Sequence, residues 1–520
     1  MAFIAVAALA LSACTKSASK PPDTASSAPT SSETPTGSTS AAPTPSQVAS
    51  VDFSDCSPQF QAAINTDRAK TMKFSCGKLS VPVDYAAPAD SKIDLFVVKV
   101  HWTKQVATAR IGSLLVNPGG PGVSGVNLAA GLVSDLGDDV FAHFDLVGFD
   151  PRGVGFSAPL SCISDAQKDV YNAEDPDVRT VAGRALARRT SAAIARTCVT
   201  KYGSALAHYN TEETARDMDL IRQAVGDSSL NYLGYSYGTR LGAAYAHLFP
   251  SKIRVAVLDG ALEPVTPEVD QDERQVKGFE SAFDQFASDC LRRPACAPLH
   301  NPRTTVIALI KAADRKPISS SASGETRHAT GGNVLTAVAA ALYDRGQWVA
   351  LGNALIAAVR GDAKEVFALA DQYTHRDTGT GHYGNLQDAN LAVNCNDSRL
   401  RVTDALVAAK AAQWAAKYPI FGMNGAAGLY SCVTWPRSGH ELPPASAPGA
   451  APILVLGTVH DPATPFAAAG VLAKALGTGV VLSWDGEGHT AYPKTSCIAG
   501  KVDSYLINAT LPVGHSCPAG

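Results

Sequence analysis

The chain has 520 residues, of which 46% are hydrophobic and 18% charged, with a formal net charge of −3. This balance suits a soluble globular body and excludes the basic stripe or acidic tail that a nucleic-acid partner would require. The length allows one large domain carrying an insertion, or two to three smaller ones.

The first 14 residues stand apart. Residues 3–11 are apolar and lead into Ser12, Ala13 and Cys14. The run is too short to span a membrane as a helix, which takes about 20 residues. Leu11-Ser12-Ala13-Cys14 resembles a bacterial lipobox, so residues 1–14 are expected to be a lipoprotein signal peptide with Cys14 as the acylated residue. No Lys or Arg precedes the apolar run, a departure from the usual signal pattern. Residues 15–50 are nearly all Ser, Thr, Pro, Ala and Gly. Such a stretch buries too little apolar surface to offset its ordering entropy, and a disordered tether is expected. The expected location is extracytoplasmic, with the cell membrane as a partner through the lipid on Cys14.

From residue 51 the pattern is α/β. Apolar, β-branched runs at 93–102, 111–116 and 144–149 predict strands, with a helical pattern at 126–136. Residues 211–225 predict a helix with Asp217, Asp219 and Arg222 on its polar side. A strand at 230–233, a helix at 239–248 and a strand at 253–258 follow. Ala-rich amphipathic stretches then take over, at 279–290, 304–313, 334–342, 348–359, 364–373 and 402–416. Strand patterns resume at 452–456 and 479–484. Short apolar strands alternating with helices predict a mainly parallel sheet covered on both faces. Residues 51–264 and 441–520 are thus expected to be two parts of one α/β core, and 265–440 an inserted helical cap.

Ten cysteines remain after Cys14: Cys56, Cys76, Cys162, Cys198, Cys290, Cys296, Cys395, Cys432, Cys497 and Cys517. An even number is consistent with five disulfides in an oxidising compartment. Spacing does not fix connectivity; local pairing is expected, 56–76, 162–198, 290–296, 395–432 and 497–517. Neither a Cys-x-x-Cys pair nor a His-Glu-x-x-His run occurs, so the sequence supports no metal site.

Gly234-Tyr235-Ser236-Tyr237-Gly238 lies between a predicted strand and a predicted helix. A tight turn with small flanking residues presents a serine hydroxyl as a nucleophile. The hydroxyl needs a base, usually His, held by a carboxylate. Asp461 follows the strand at 452–456, and His489 follows the strand at 479–484. In open α/β sheets the carboxyl ends of the strands share one edge, which brings Ser236, Asp461 and His489 to the same rim. The order Ser, Asp, His fits the α/β-hydrolase arrangement. Asp461 can also cap the turn at Pro462, Asp259 is the alternative acid, and His460 is the nearest competing histidine. Asn117-Pro118-Gly119-Gly120-Pro121-Gly122 is expected to offer an oxyanion donor at Gly120, with Gly119 as the alternative, and Tyr237 N–H as the second donor. Gly153–Ala158 fits a G-x-G-x-x-A fingerprint, but prolines flank it and no helix pattern opens there, so no dinucleotide cofactor is expected. Arg152 is expected to pair with a buried carboxylate near the serine turn.

Together these motifs resemble the prolyl-aminopeptidase-like α/β-hydrolase peptidases, specifically the bacterial secreted tripeptidyl aminopeptidases and lipoprotein serine proteases. The residues that carry the resemblance are 117–122, Phe-Asp-Leu-Val-Gly-Phe-Asp-Pro-Arg-Gly at 144–153, Tyr-Leu-Gly-Tyr-Ser-Tyr-Gly-Thr-Arg at 232–240, Asp-Pro-Ala-Thr-Pro at 461–465 and Gly-His-Thr at 488–490. The resemblance spans residues 56–517. It implies an α/β-hydrolase fold, peptide-bond hydrolysis by Ser236, Asp461 and His489, no cofactor, and a cap that shapes the substrate site. Aminopeptidase specificity calls for a cap carboxylate to hold a free α-ammonium. Asn394-Cys395-Asn396-Asp397 is similar to the family's Cys-x-Asp segment, which makes Asp397 the candidate and Glu263 the second. The expectation is an exported, monomeric serine peptidase that removes short peptides from free N-termini of peptide or protein substrates. A carboxylesterase or lipase using the same three residues is the alternative.

Overall fold

The computed structural model describes residues 50–520; the expected signal peptide, Cys14 and residues 15–49 of the expected tether lie outside the described residues. Ten strands make one sheet: β1 (Ser54–Asp55), β2 (Met72–Pro82), β3 (Lys92–Trp102), β4 (Gly112–Asn117), β5 (Phe144–Phe149), β6 (Leu230–Tyr235), β7 (Ile253–Asp259), β8 (Ile453–His460), β9 (Gly479–Glu487) and β10 (Ser516–Cys517). Their order is β1-β2-β3-β5-β4-β6-β7-β8-β9-β10. The pairs from β1 to β5 are antiparallel, and every pair from β5 onward is parallel.

All residues of β4, β5 and β6 are buried, as near-continuous apolar runs require when both faces of a sheet are covered. On one face Leu114, Val116, Leu233 and Tyr235 pack with helices Gly125–Asp135, Asp138–His143 and Ser496–Asn508. On the other, Leu115, Leu230 and Tyr232 pack with helices Thr211–Ala224, Tyr237–Leu248 and Ala467–Leu476. The alternation of side chains along each strand divides one apolar run between two cores.

The cap has a core of its own, in which Phe283, Phe286, Trp348 and Trp414 are buried. Its helices include Glu268–Leu291, Pro302–Arg315, Gly331–Leu342, Trp348–Val359, Lys364–Thr374, Leu386–Asp397 and Asp404–Lys417. The excursion between β5 and β6 also reaches the cap. Thr330 Oγ1 donates to the Ala173 carbonyl at 2.7 Å, and Ser191 Oγ donates to that of Tyr430 at 2.7 Å. Two helices there, Asp165–Ala173 and Val181–Tyr202, have no counterpart in the sequence reading. The second buries only Ser191, Ile194, Ala195 and Cys198 along 22 residues, too thin a stripe to register as amphipathic.

The five disulfides pair as expected: Cys56–Cys76, Cys162–Cys198, Cys290–Cys296, Cys395–Cys432 and Cys497–Cys517. Arg152 is almost fully buried and forms a two-pronged pair with Asp217, at 2.8 Å from Nε and 2.7 Å from Nη2. Its other N–H groups donate to the carbonyls of Pro82, Val83 and His208. This pair fastens the turn after β5 to helix Thr211–Ala224. The Gly-rich segment at 153–158 is a closed turn, with the Gly153 N–H on the Ser157 carbonyl at 2.8 Å, and the next helix begins only at Asp165.

Candidate active site

Ser236 follows β6 directly and precedes helix Tyr237–Leu248. Its backbone sits at φ 54°, ψ −121°, a conformation that costs a non-glycine residue about 1–3 kcal/mol. The flanking residues have no room for a side chain. A Cβ on Gly234 would stand 2.5 Å from the Gly238 carbonyl oxygen, and one on Gly238 would stand 2.9 Å from that of Asn117. The strained turn therefore follows from the sequence Gly-x-Ser-x-Gly, and it leaves Ser236 partly exposed at the carboxyl edge of the sheet.

Asp461 and His489 lie at the ends of the neighbouring strands β8 and β9. His489 Nδ1 is 3.0 and 2.9 Å from the two Asp461 oxygens. Asp461 also accepts from the N–H groups of Ala463, Thr464 and Thr490 and from Thr464 Oγ1. Burial alone would raise its carboxyl, but His489 and these donors hold it below the ordinary value. One carboxylate thus caps the 461–464 turn and orients the imidazole. His489 Nε2 is buried with no hydrogen-bond partner among the described residues. The Asp259–Gly260 peptide lies beside both groups: the Asp259 carbonyl accepts from Ser236 N–H at 2.8 Å, and a Cβ on Gly260 would stand 3.0 Å from His489 Cε1.

Asp259, the alternative acid, is engaged elsewhere. Its carboxylate accepts from Ala491 N–H at 2.9 Å and Tyr492 N–H at 2.7 Å, so it supports the chain just beyond His489 without touching the ring. Burial pushes it up to about 6. His460 stands on β8 opposite Glu487 of β9.

The Gly-rich segment after β4 packs against the serine turn. A Cβ on Gly119, at φ 91°, would lie 2.4 Å from the Tyr235 carbonyl oxygen and 2.9 Å from Tyr237 N. Gly119 N–H is already given to Asn117 Oδ1 at 3.0 Å. The N–H groups of Gly120 and Tyr237 have no partner among the described residues. Tyr237 opens its helix, where the dipole favours negative charge. Gly120 with Tyr237 is therefore the better donor pair, and Gly119 serves to let the segment approach.

The two candidate carboxylates for a substrate ammonium differ in circumstance. Glu263 is buried and bound by Arg274 at 2.5 Å and by Thr266. Asp397 makes no ion pair among the described residues. It accepts from Thr211 N–H at 3.0 Å and Thr211 Oγ1 at 2.5 Å, and Thr211 Oγ1 lies 2.5 Å from the hydroxyl of Tyr237, next to the nucleophile. Burial pushes Asp397 up to about 6, against the pull of Thr211 and Arg240.

Three contacts escape sequence reasoning. Thr211 ties Asp397 to Tyr237 across 186 residues. Lys494 Nζ donates to the His489 carbonyl at 2.8 Å. Tyr343 of the cap accepts the His489 N–H at 2.8 Å and sets its ring edge-on to the imidazole, with centroids 5.2 Å apart. No local pattern marks a residue whose role arises only when distant segments meet.

Comparison with known proteins agrees with this geometry. A family model described as "alpha/beta hydrolase fold" matches residues 112–347, and one described as "TAP-like protein" matches residues 418–517. Serine protease Hip1 of Mycobacterium tuberculosis is 39% identical over 452 residues, covering 84% of this chain and 86% of that protein. Carboxylesterase B of the same species is 37% identical over 459 residues, covering 86% of each. Tripeptidyl aminopeptidase of Streptomyces lividans is 29% identical over 474 residues, covering 88% of this chain and 84% of that protein.

Proposed function

This chain belongs to the α/β-hydrolase peptidase family, and from that premise we propose that it is an exported serine peptidase that cleaves peptide bonds near free N-termini. Ser236 Oγ attacks the scissile carbonyl while His489 Nε2 takes its proton. Asp461 keeps the other ring proton on Nδ1 and stabilises the imidazolium that forms. The N–H groups of Gly120 and Tyr237 receive the charge that develops on the carbonyl oxygen. The imidazolium then protonates the leaving amine, and water, activated by the same nitrogen, hydrolyses the acyl-enzyme.

The observation that carries the aminopeptidase reading is Asp397. It is a partly buried carboxylate without an ion-pair partner among the described residues, linked through Thr211 to the residue after the nucleophile. A substrate ammonium supplies the missing counter-charge. Glu263, already paired with Arg274, is the weaker candidate. Acetylating a peptide's amino terminus is expected to abolish most of its cleavage; equal turnover of blocked and free peptides would remove the claim. A fluorophosphonate should label the wild type and leave Ser236→Ala unlabelled.

The similarity to a protein named carboxylesterase B supports a second reading, ester hydrolysis through the same acyl-enzyme. The ratio of kcat/KM for matched tripeptide amide and ester substrates separates the two. Lipid attachment at Cys14 rests on the lipobox resemblance of residues 11–14. Cys14→Ala is expected to move the protein from the membrane fraction to the soluble one, and continued membrane retention would refute the anchor.

A further inference from the structure

Three ligand-type side chains meet where the chain returns from the cap to the core. His208 ends the short segment Gly203–His208, Glu213 lies in the first turn of helix Thr211–Ala224, and His440 lies in the connection leading to β8. One nitrogen or oxygen from each falls within 4.8 Å of the others. His208 Nδ1 is 3.2 Å from Glu213 Oε1, and the two imidazole rings are 5.1 Å apart. Asp84 stands at the rim, its Oδ2 3.9 Å from His208 Nε2.

Glu213 is the reason to look further. Its side chain is 4% exposed, and Oε2 has no hydrogen-bond partner among the described residues. The guanidinium of Arg152 lends its charge from nearby but has no hydrogen bond to spare. Its five N–H groups go to Asp217 twice and to the carbonyls of Pro82, Val83 and His208. With Arg152 and Asp217 neutralising each other, the charge that remains belongs to Glu213 and Asp84. A buried carboxylate oxygen without a donor is costly.

We propose that His208, Glu213 and His440 bind a divalent transition-metal cation, zinc being the best match. Two imidazoles and a carboxylate are the donor set that zinc takes when a fourth position is left for water. Ligands about 2.1 Å from a tetrahedral zinc stand about 3.4 Å apart, so side-chain movements on the order of 1 Å gather this set. The cation meets the Glu213 carboxylate and offsets the local negative charge. Asp84, 3.9 Å from His208 Nε2, is placed to orient that ring from its other nitrogen. Because the three ligands lie at 208, 213 and 440, no spacing motif announces them.

The site ties two functional parts together. Glu213 is two residues from Thr211, which holds Asp397. His440 N–H donates to Ser438 Oγ, which in turn donates to the Asn396 carbonyl next to Asp397. A metal here fastens the return from the cap to the helix that supports the proposed ammonium site.

The test uses the full chain, purified with chelator and dialysed. Zinc is titrated at pH 7 against a chromophoric chelator, with cobalt as a spectroscopic probe. One zinc per chain, a visible cobalt spectrum of four-coordinate intensity and a zinc-dependent rise in Tm are expected. His440→Ala, in a loop, and Glu213→Gln should each weaken binding by more than about 100-fold, beyond the effect of losing an outer partner. Circular dichroism checks that both variants fold. Absence of stoichiometric zinc binding by the wild type overturns the proposal, as does unchanged binding by two folded variants. A Tm that ignores zinc but rises on acidification to pH 6, and does so only with His440 present, assigns the missing charge to an imidazolium and also overturns it.

Discussion

Replacing Asp461 by Asn tests the proposed geometry at its most sensitive point. In the wild type, Asp461 Oδ1 accepts from Ala463 and Thr464 N–H at 2.9 and 2.8 Å, while Oδ2 accepts from Thr464 Oγ1 at 3.0 Å and Thr490 N–H at 3.2 Å. An asparagine has only one oxygen to share among these donors. If it stays at the Oδ1 position, which receives two loop N–H groups, the NH2 falls at Oδ2 and points its hydrogens at His489 Nδ1. That nitrogen must then accept, which puts the ring proton on Nε2, the atom that has to take the serine proton. The expected loss in kcat is about 10⁴-fold, or about 5 kcal/mol of transition-state stabilisation. Thr490 N–H loses its acceptor in the same change, at roughly 1–3 kcal/mol of fold stability. Single-turnover acylation with a fluorogenic tripeptide amide measures the first effect, and guanidinium unfolding measures the second. Asp259→Asn is the control. It disturbs the N–H groups of Ala491 and Tyr492 without facing the ring, so stability should fall while kcat stays within about 10-fold. A folded Asp461→Asn enzyme within 10-fold of the wild type would refute the tautomer reasoning, and an Asp259→Asn enzyme as slow as Asp461→Asn would refute the choice of acid.

Asp397, pushed up to about 6, must be ionised to hold an ammonium. The kcat/KM ratio of free-amine over acetylated peptide should therefore fall as pH drops through about 6, and Asp397→Asn should flatten that ratio; an unchanged profile in the variant excludes the role. For the same group, fold stability should decline as pH rises from about 4 to about 6, because the folded chain keeps a proton that the unfolded chain has released. Gly119→Ala places a methyl 2.4 Å from the Tyr235 carbonyl oxygen and should cut kcat about 100-fold by displacing the Gly120 donor, with thermal melts checking the fold; undiminished kcat excludes the donor assignment. The Cys395–Cys432 bridge closes a separation of 37 residues. Replacing both cysteines by alanine should cost about 4 kcal/mol in guanidinium unfolding, and a loss under about 1 kcal/mol would contradict the chain-entropy account.

Much of the sheet is legible because its strands are short, apolar and separated by distinct helices. The run at 144–149 and the helix at 348–359 have the same ends in the structure. The positions of Ser236, Asp461 and His489 at one edge could be anticipated because parallel topology orients neighbouring strands alike. Helix Leu386–Asp397 is not legible, since half of its residues are polar and its buried Asp388 reads as a surface residue. Asp388 is held by Lys168 at 2.6 Å and by Cys162 N–H at 2.8 Å, partners more than 200 residues away. The roles of Thr211 and Tyr343 are illegible for the same reason: nothing within ten residues of either records what it touches.

Tyr343 is part of the cap, yet its carbonyl accepts the His489 N–H and its ring stands edge-on to the imidazole. A lid swinging clear as a rigid body would strip His489 of both contacts and leave Asp461 to hold the imidazole. Any displacement of the roof is therefore felt at the base beneath it.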